Sequence, residues 1–190
     1  MSIQRVAFDG NDVIFIAGKF KEIMIALGCD EEDPNFKETP IRWARAITDQ
    51  FTPEPFTLTT FEDETYHGLI TLKGHESWTL CPHHFERVML LTTVSYIPRN
   101  DKVIGASKLA RICNHFSKGC ITQETFTRVV ADYVMKHLDP EGCAVYVEGQ
   151  HNCMQCRGVR TKGLFITREL RGLYLHSAET REEFLSDLRR

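Results

Sequence analysis

The chain has 190 residues, the size of one domain or of one domain with a helical extension. Its composition, 42% hydrophobic and 26% charged, is that of an ordinary globular protein. The formal net charge of −3 argues against general nucleic-acid binding, so any basic cluster must be local and directed at a small anion.

The longest apolar runs are far too short to cross a bilayer, and no export signal is visible at the start of the chain. The seven cysteines are an odd number, which disfavours a disulfide framework. We therefore expect free thiols or metal ligands in a reducing cytoplasm.

Two helices are predicted within residues 1–55, which we interpret as an N-terminal helical arm. The first covers about residues 13–27, where apolar residues recur at helical spacing and Gly28 follows as a C-cap. The second begins at Thr39 as N-cap with Pro40 as first helical residue, and it runs to about Phe51. The segment Pro53-Glu-Pro55 then separates the arm from a core over residues 56–190.

The core is predicted to contain two strands, two helices and two further strands, which is an α+β pattern. We expect strands at 66–72, 85–96, 143–148 and 164–174, and helices at 107–118, 122–138 and 177–188. Sequential antiparallel strands of this kind leave open sheet edges, which are often closed by oligomerisation into a shared barrel.

Metal-competent side chains are concentrated in two short segments, Cys81-Pro-His-His84 and His151-Asn-Cys153. Cys81, His84 and Cys153 would supply two thiolates and one imidazole. This is a three-ligand zinc set that leaves the fourth tetrahedral position for water. On spacing alone, a structural zinc or ordinary core residues remain alternatives, since buried free cysteine is common.

Two more histidines, His83 and His151, lie beside these residues without being needed as ligands. Histidines that are not ligands, beside a metal with an open coordination position, suggest a hydrolytic site rather than a structural zinc site. A redox pair formed by Cys153 and Cys156 is a weaker alternative, because no thioredoxin-like strand and helix surround it.

Together with the sequence between them, the two segments resemble the GTP cyclohydrolase I family over about three-quarters of the chain. Five motifs follow one another in the family's order: Cys81-Pro-His-His84, Tyr96-Ile-Pro98, Ile104-Gly-Ala-Ser-Lys-Leu-Ala-Arg111, Gln123-Glu124 and His151-Asn-Cys-Met-Gln-Cys-Arg-Gly158. The resemblance implies a tunnelling fold, with ββααββ subunits whose sheets join into an oligomeric barrel. It also implies a homodecamer of two stacked pentamers, with active sites at subunit boundaries.

The activity implied by the resemblance is zinc-dependent hydrolytic opening of the guanine ring of GTP. Formate leaves and 7,8-dihydroneopterin triphosphate forms, the first step of pterin, folate or deazapurine biosynthesis. Cys81, His84 and Cys153 are then the zinc ligands, and the family's spacing selects Cys153 over Cys156. His83 is expected to protonate guanine N7. His151, the other histidine, is expected to assist the later proton transfers.

Glu124 resembles the family's guanine anchor, because a carboxylate can accept from N1–H and the exocyclic amine together. Gln123 is expected to line the same pocket. Both residues also suit the first turn of a helix for purely structural reasons. The triphosphate set implied by the family is Ser107, Lys108, Arg111, Arg157 and Arg42, for which a solvated basic face is the alternative.

The chain departs from the family at two places. Pro82 stands where a glutamate is usual, and residues 159–166 replace a small, Ser/Thr-rich stretch. Proline removes a carboxylate and a backbone N–H close to the predicted zinc ligands. These changes leave open a catalytically altered, zinc-stabilised tunnelling-fold protein that binds another purine or a pterin.

Overall fold

The computed structural model describes residues 7–62, 66–99 and 102–189. The chain divides into two compact units at the Pro53–Glu54 bond. Among the described residues, no helix combines the length and the apolar character that a membrane span requires.

The first unit contains two helices, Gly10–Ala26 (α1) and Thr39–Phe51 (α2). α1 begins earlier than predicted because Asp9 and Asp12 form a capping box, in which each carboxylate accepts from the other residue's backbone N–H. Within this unit the rings of Phe20 and Trp43 stack with their centroids 4.1 Å apart, which joins the two helices.

The start of α2 corrects one prediction. Thr39 is the first helical residue, Glu38 is the N-cap, and Pro40 follows as the second helical residue. The Thr39 hydroxyl donates to the carbonyl oxygen of Asn35 at 3.2 Å instead of capping the helix. Proline is tolerated in this first turn because the N–H groups there have no partner within the helix.

The second unit is built around a four-stranded antiparallel sheet in the order β2-β3-β5-β6. The described strands of this unit are Thr60–Glu62 (β1), Ile70–Leu80 (β2), Arg87–Ile97 (β3), Lys102–Ile104 (β4), Gly142–His151 (β5) and Phe165–Gly172 (β6). Of these, β1 and β4 pair with each other in a separate two-stranded sheet. The helices of this unit are Ala106–Ser117 (α3), Gln123–Leu138 (α4), Asn152–Gln155 (α5), Leu173–His176 (α6) and Ala178–Arg189 (α7). The predicted α+β class and the order of two strands, two helices and two strands are confirmed.

The first predicted strand was wrong in its bounds. The polar segment Lys73-Gly74-His75 resembles a break, but it is a bulge inside β2, where the pairing register shifts between Leu72 and His75. Gly74 has a φ of +69°, which a side chain would strain. The pairing of the three-residue strands β1 and β4 was not predicted either, because so short a segment has no periodicity to detect.

The core lies on both faces of this sheet. α3 and α4 cover one face with buried residues such as Ile112 and Phe126, each fully inaccessible to solvent. α7 packs Phe184 edge-to-face against Tyr174 at 5.6 Å, in a cluster that includes Ala144. The Tyr174 hydroxyl is itself satisfied by the Ser95 hydroxyl at 2.7 Å.

Antiparallel pairing brings three strand ends together at what we call the upper end of the sheet. Leu80, the last residue of β2, pairs with Arg87, and Val88 pairs with His151, the last residue of β5. At the lower end, Ile97 pairs with Gly142. Both predicted metal-binding segments therefore lie at the upper end.

In the second unit, the helices α3 and α4 run in opposite directions between these two ends of the sheet. α3 begins near the lower end, where the Tyr96 hydroxyl accepts from the backbone N–H of Ile104 at 2.9 Å. It ends near the upper end, where the carbonyl oxygen of Gly119 accepts from Leu80 N–H at 3.3 Å. α4 begins at the upper end, capped by the side chain of Thr122, and returns to the lower end.

Gly172 is predicted to be essential for stability at the junction of β6 and α6. Its φ of +57° is combined with a ψ of −130°, a backbone conformation that favours glycine. An added Cβ would overlap the carbonyl oxygen of Glu141 and lie 2.8 Å from Gly142 Cα. Gly172→Ala should lower the free energy of unfolding by at least about 2 kcal/mol in denaturant titrations. The matched Gly163→Ala, whose Cβ would meet nothing closer than 3.4 Å, should change it by less than about 1 kcal/mol; equal effects would contradict this account.

Candidate active site

Three side chains at the upper end of the sheet form a compact donor cluster. The ligand atoms of Cys81, His84 and Cys153 all lie within 4.8 Å of one another. Cys81 Sγ and His84 Nδ1 are 3.6 Å apart. Bond lengths near 2.3 Å for Zn–S and 2.0–2.1 Å for Zn–N at a tetrahedral angle also give about 3.6 Å, so the spacing fits a shared tetrahedral zinc.

The first two donors are held by a tight turn between β2 and β3. The Cys81 carbonyl oxygen accepts from His84 N–H at 3.4 Å and from Phe85 N–H at 2.8 Å, and Cys81 N–H donates to Glu86 O at 2.8 Å. Pro82 is then the second residue of a β-turn, a position where its fixed φ is favoured. The substitution at residue 82 therefore removes no N–H that the turn needs.

The third donor, Cys153, lies on α5, a single helical turn directly after β5. Burial raises the pKa of its thiol, as does the neighbouring Cys81, while Arg157 acts in the opposite direction. Cys156 is exposed, and its thiol donates to the carbonyl oxygen of Asn152 at 2.9 Å, outside the donor cluster. The structure thus brings Cys153, and not Cys156, to the other two donors.

His83 lies next to the cluster but is not part of it. Its Nδ1 is 3.7 Å from Cys81 Sγ, almost as close as that of His84. The group of described residues whose ligand atoms all lie within 4.8 Å of one another, however, contains His84 and not His83. An exposed imidazole beside a metal-competent cluster can hold or release a proton without acting as a ligand.

His151, the last residue of β5, is half-buried and contacts two other elements. Its ring packs edge-on against Phe165 of β6, with centroids 5.6 Å apart. Its Nε2 lies 3.0 Å from the Oε1 of Gln123, the first residue of α4. Burial lowers the pKa of His151, and the nearby carboxylate of Glu124 opposes that shift.

Gln123 is almost completely buried, with 2% of its surface exposed. Its amide nitrogen donates to Val147 O at 3.1 Å, to Phe165 O at 2.8 Å and to Thr167 Oγ1 at 3.1 Å. The sequence predicts that Gln123 lines the pocket, and in the structure its side chain contacts β5, β6 and His151.

Gly149 of β5 was missed by the sequence analysis, which ended this strand at residue 148. An added Cβ at Gly149 would overlap Gln123 Oε1 and lie 3.0 Å from His151 Nε2. A glycine within a strand often marks the close approach of another group, and that signal was available in the sequence.

The remaining candidate residues lie in three places: at the upper end of the sheet, near its lower end, and in the first unit. Glu124 is exposed in the first turn of α4, and Arg157 is exposed after α5, so both lie with the donor cluster at the upper end. Ser107, Lys108 and Arg111 occupy the first half of α3, which begins near the lower end. Ser107 and Ser117 are ten positions apart on this helix, a span of about 15 Å. Arg42 is exposed on α2 in the first unit.

Comparison with known proteins identifies the same family along most of the chain. The sequence profile of GTP cyclohydrolase I matches residues 16–189. A GTP cyclohydrolase 1 from Thermobifida fusca is 37% identical over 170 residues, which cover 86% of this chain and 82% of that protein. A GTP cyclohydrolase 1 from Desulforamulus reducens is 36% identical over 172 residues, covering 87% of this chain and 91% of that protein.

Among solved structures, the crystal structure of the archaeosine synthase QueF-Like in the apo form is similar to this chain. The similar region covers 55% of this chain and 96% of that protein's chain. The TM-score is 0.43 and the sequence identity 17%.

The geometry of the donor cluster predicts that zinc affinity depends on the thiol of Cys153 and not on that of Cys156. Cys153→Ser should lower zinc affinity by more than about 100-fold, the upper end of the loss caused by removing an outer-shell partner. Cys156→Ser, three residues away, should keep the affinity of the wild-type protein. Competition with a chelating dye measures both constants, and the prediction is wrong if Cys156→Ser loses zinc as readily as Cys153→Ser.

Proposed function

Because the chain belongs to the GTP cyclohydrolase I family, we propose that it opens the guanine ring of GTP by hydrolysis at the upper end of its sheet. The products are formate and 7,8-dihydroneopterin triphosphate. The observation that carries this assignment is the cluster of Cys81, His84 and Cys153, with one histidine adjacent to it and another on a neighbouring strand end.

The metal assigned to this cluster is zinc. Two thiols and one imidazole are the donors that zinc prefers, and three protein ligands are typical of a catalytic site. When bound, zinc supplies Lewis acidity and activates water as a nucleophile near neutral pH.

His83 is assigned the protonation of guanine N7, which makes C8 susceptible to attack by water. Its ring is exposed and adjacent to Cys81 Sγ, so a base whose C8 approaches the cluster comes within its reach. His151 is assigned the later proton transfers at the opened ring. It lies on a different strand end, which allows the two histidines to act on different atoms of one substrate.

Glu124 is assigned the recognition of guanine. Its carboxylate is exposed in the first turn of α4, and its charge acts on His151, so the two residues lie close together. Guanine offers N1–H and an amino group side by side, a donor pair that one carboxylate accepts together. Adenine lacks this pair and would leave the carboxylate unsatisfied.

The triphosphate set is assigned to a pocket shared between subunits. Ser107, Lys108 and Arg111 lie near the lower end of the sheet, whereas the donor cluster lies at the upper end. The nine residue steps from Arg87 to Tyr96 along β3 span about 30 Å, further than one nucleotide reaches. Two chains that place the upper end of one beside the start of α3 of the next would complete the site, together with Arg157 and Arg42.

This arrangement accords with the oligomeric barrel of the tunnelling fold. The strands β2 and β6 are the edges of the four-stranded sheet, and each offers backbone groups for pairing with a neighbouring chain. A homodecamer of two stacked pentamers, with sites at the subunit boundaries, therefore forms part of the proposal. A cytoplasmic location does as well, because all seven cysteines are free thiols.

An alternative is that this chain is an altered member of the family that has lost catalytic turnover. Pro82, the departure that would favour this alternative, does not specifically support it. This proline occupies a turn position that suits it, and the three donors remain together.

Formate release from a panel of nucleoside triphosphates tests the activity. Zinc-loaded protein should release one formate per GTP, and none from ATP. Glu124→Gln should lower kcat/KM for GTP by about 10- to 100-fold, the effect of losing a hydrogen bond to a charged group. Glu179→Gln, which changes another glutamate in a first helical turn, should have no effect. No formate from GTP with zinc bound would refute the assignment.

Co-expression of two inactive variants tests the shared pocket. His83→Gln affects the upper end, and a Lys108→Ala, Arg111→Ala double variant affects the start of α3. In random mixed oligomers, about a quarter of the sites would combine an intact upper end with an intact neighbouring α3, so about a quarter of wild-type formate release should return. His83→Gln mixed with Cys153→Ser should recover none. No recovery in the first mixture would mean that each site lies within one chain.

A further inference from the structure

We propose that Gln123 and Gly149 are positioning residues that hold the neutral imidazole of His151 in its Nε2–H tautomer. Nδ1 is then the ring nitrogen that exchanges a proton with the reacting substrate. This inference rests on the proposed function and gives Gln123 a different role from the substrate contact that the sequence indicated.

The orientation of the Gln123 carboxamide follows from its partners. Its nitrogen lies 3.1 Å from Val147 O and 2.8 Å from Phe165 O, and a carbonyl oxygen can only accept. Reversing the amide would set its oxygen against both carbonyls in a buried site, at the cost of unsatisfied polar groups. The oxygen of Gln123 must therefore face His151.

The neighbouring hydroxyls are consistent with the same orientation. Thr127 donates to the backbone oxygen of Gln123 at 2.7 Å, so Thr167 must donate in the 2.6 Å contact between the two threonine hydroxyls. Thr167 Oγ1 then remains free to accept from the amide nitrogen of Gln123 at 3.1 Å. The two hydrogens of the Gln123 amide are shared among three acceptors, and each of the two threonine hydroxyls donates once, so every member of this network has a partner.

The tautomer of His151 follows directly. An amide oxygen only accepts, so the 3.0 Å contact requires a proton on His151 Nε2. The neutral ring then has its lone pair on Nδ1. A hydrogen bond at one ring nitrogen commonly decides which nitrogen does the chemistry.

Gly149 makes the contact possible. An added Cβ would overlap Gln123 Oε1, lie 2.8 Å from Gln123 Cδ and lie 3.0 Å from His151 Nε2. Any side chain at residue 149 would push the amide away from the ring. Glycine is thus required here by the space that the hydrogen bond occupies.

The engagement of Gln123 also removes it from substrate recognition. Both ends of its amide have partners within the chain, and its side chain is buried. Glu124, the adjacent residue, is exposed and remains available for the base.

Solid-state NMR of zinc-loaded protein labelled with ¹⁵N-histidine measures the tautomer directly, with His151→Gln used to assign the signal. We expect neutral His151 to be protonated at Nε2 in the wild-type protein. In Gly149→Ala and in Gln123→Met, which keeps the length of the side chain but cannot accept strongly, the signal should shift to a mixture of tautomers. Wild-type His151 protonated at Nδ1 would overturn the proposal, whatever the variants do.

Kinetics of formate release from GTP provide the second readout. For both variants kcat should fall by about 100-fold, within the usual contribution of a positioned acid or base, with KM changed by less than about threefold. Zinc content should stay at the wild-type level. Gly18→Ala, whose added Cβ would meet nothing within 4 Å, is the control for the glycine substitution and should match the wild type.

Several outcomes would contradict the positioning role. A raised KM with unchanged kcat in Gln123→Met would make Gln123 a substrate contact instead. Unchanged kcat and tautomer in Gly149→Ala would remove the role of Gly149. If the wild-type protein released no formate, the proposed function would fail, while the NMR measurement would still decide the tautomer. If Gln123→Met did not fold, Gly149→Ala and the wild-type spectrum would decide.

Discussion

The antiparallel register of the four-stranded sheet is the constraint on which the candidate site depends. Because Leu80 pairs with Arg87 and Val88 pairs with His151, the turn after β2 and the residues after β5 meet at one end of the sheet. A shift of one residue would turn every side chain of a strand to the other face. The distance between Cys81 and Cys153 is thus determined by strand pairing, although many residues separate them in sequence.

The same end of the sheet contains a buried polar group that needs complete hydrogen bonding. Gln123 is almost completely buried, and a buried amide without partners would be costly. Its partners come from two strands and from His151, so the requirement that every polar group be satisfied also orients the histidine. In our proposal, these contacts meet a structural demand and a catalytic one together.

The opposite directions of α3 and α4 divide the candidate residues between the ends of the sheet. α4 begins beside the donor cluster and offers Glu124 there, while α3 begins at the other end and offers Ser107 and Lys108. A triphosphate is compact compared with this separation. The division is the physical reason why a complete pocket requires a second chain in our proposal.

The sequence by itself determined the chemistry and the class of fold. Cys81, His84 and Cys153 were identifiable because the two segments that contain them, with the motifs between, resemble the GTP cyclohydrolase I family. The helical stretches were identifiable because apolar residues repeat at helical intervals. Only the tertiary structure decided the bulge at Gly74 and the engagement of Gln123, because both depend on contacts between distant segments. Pairing partners, space and hydrogen-bond orientation across strands have no signature in a local pattern. A glycine at residue 149 could therefore indicate a close approach in the sequence, but only the structure shows that the approaching groups are Gln123 and His151.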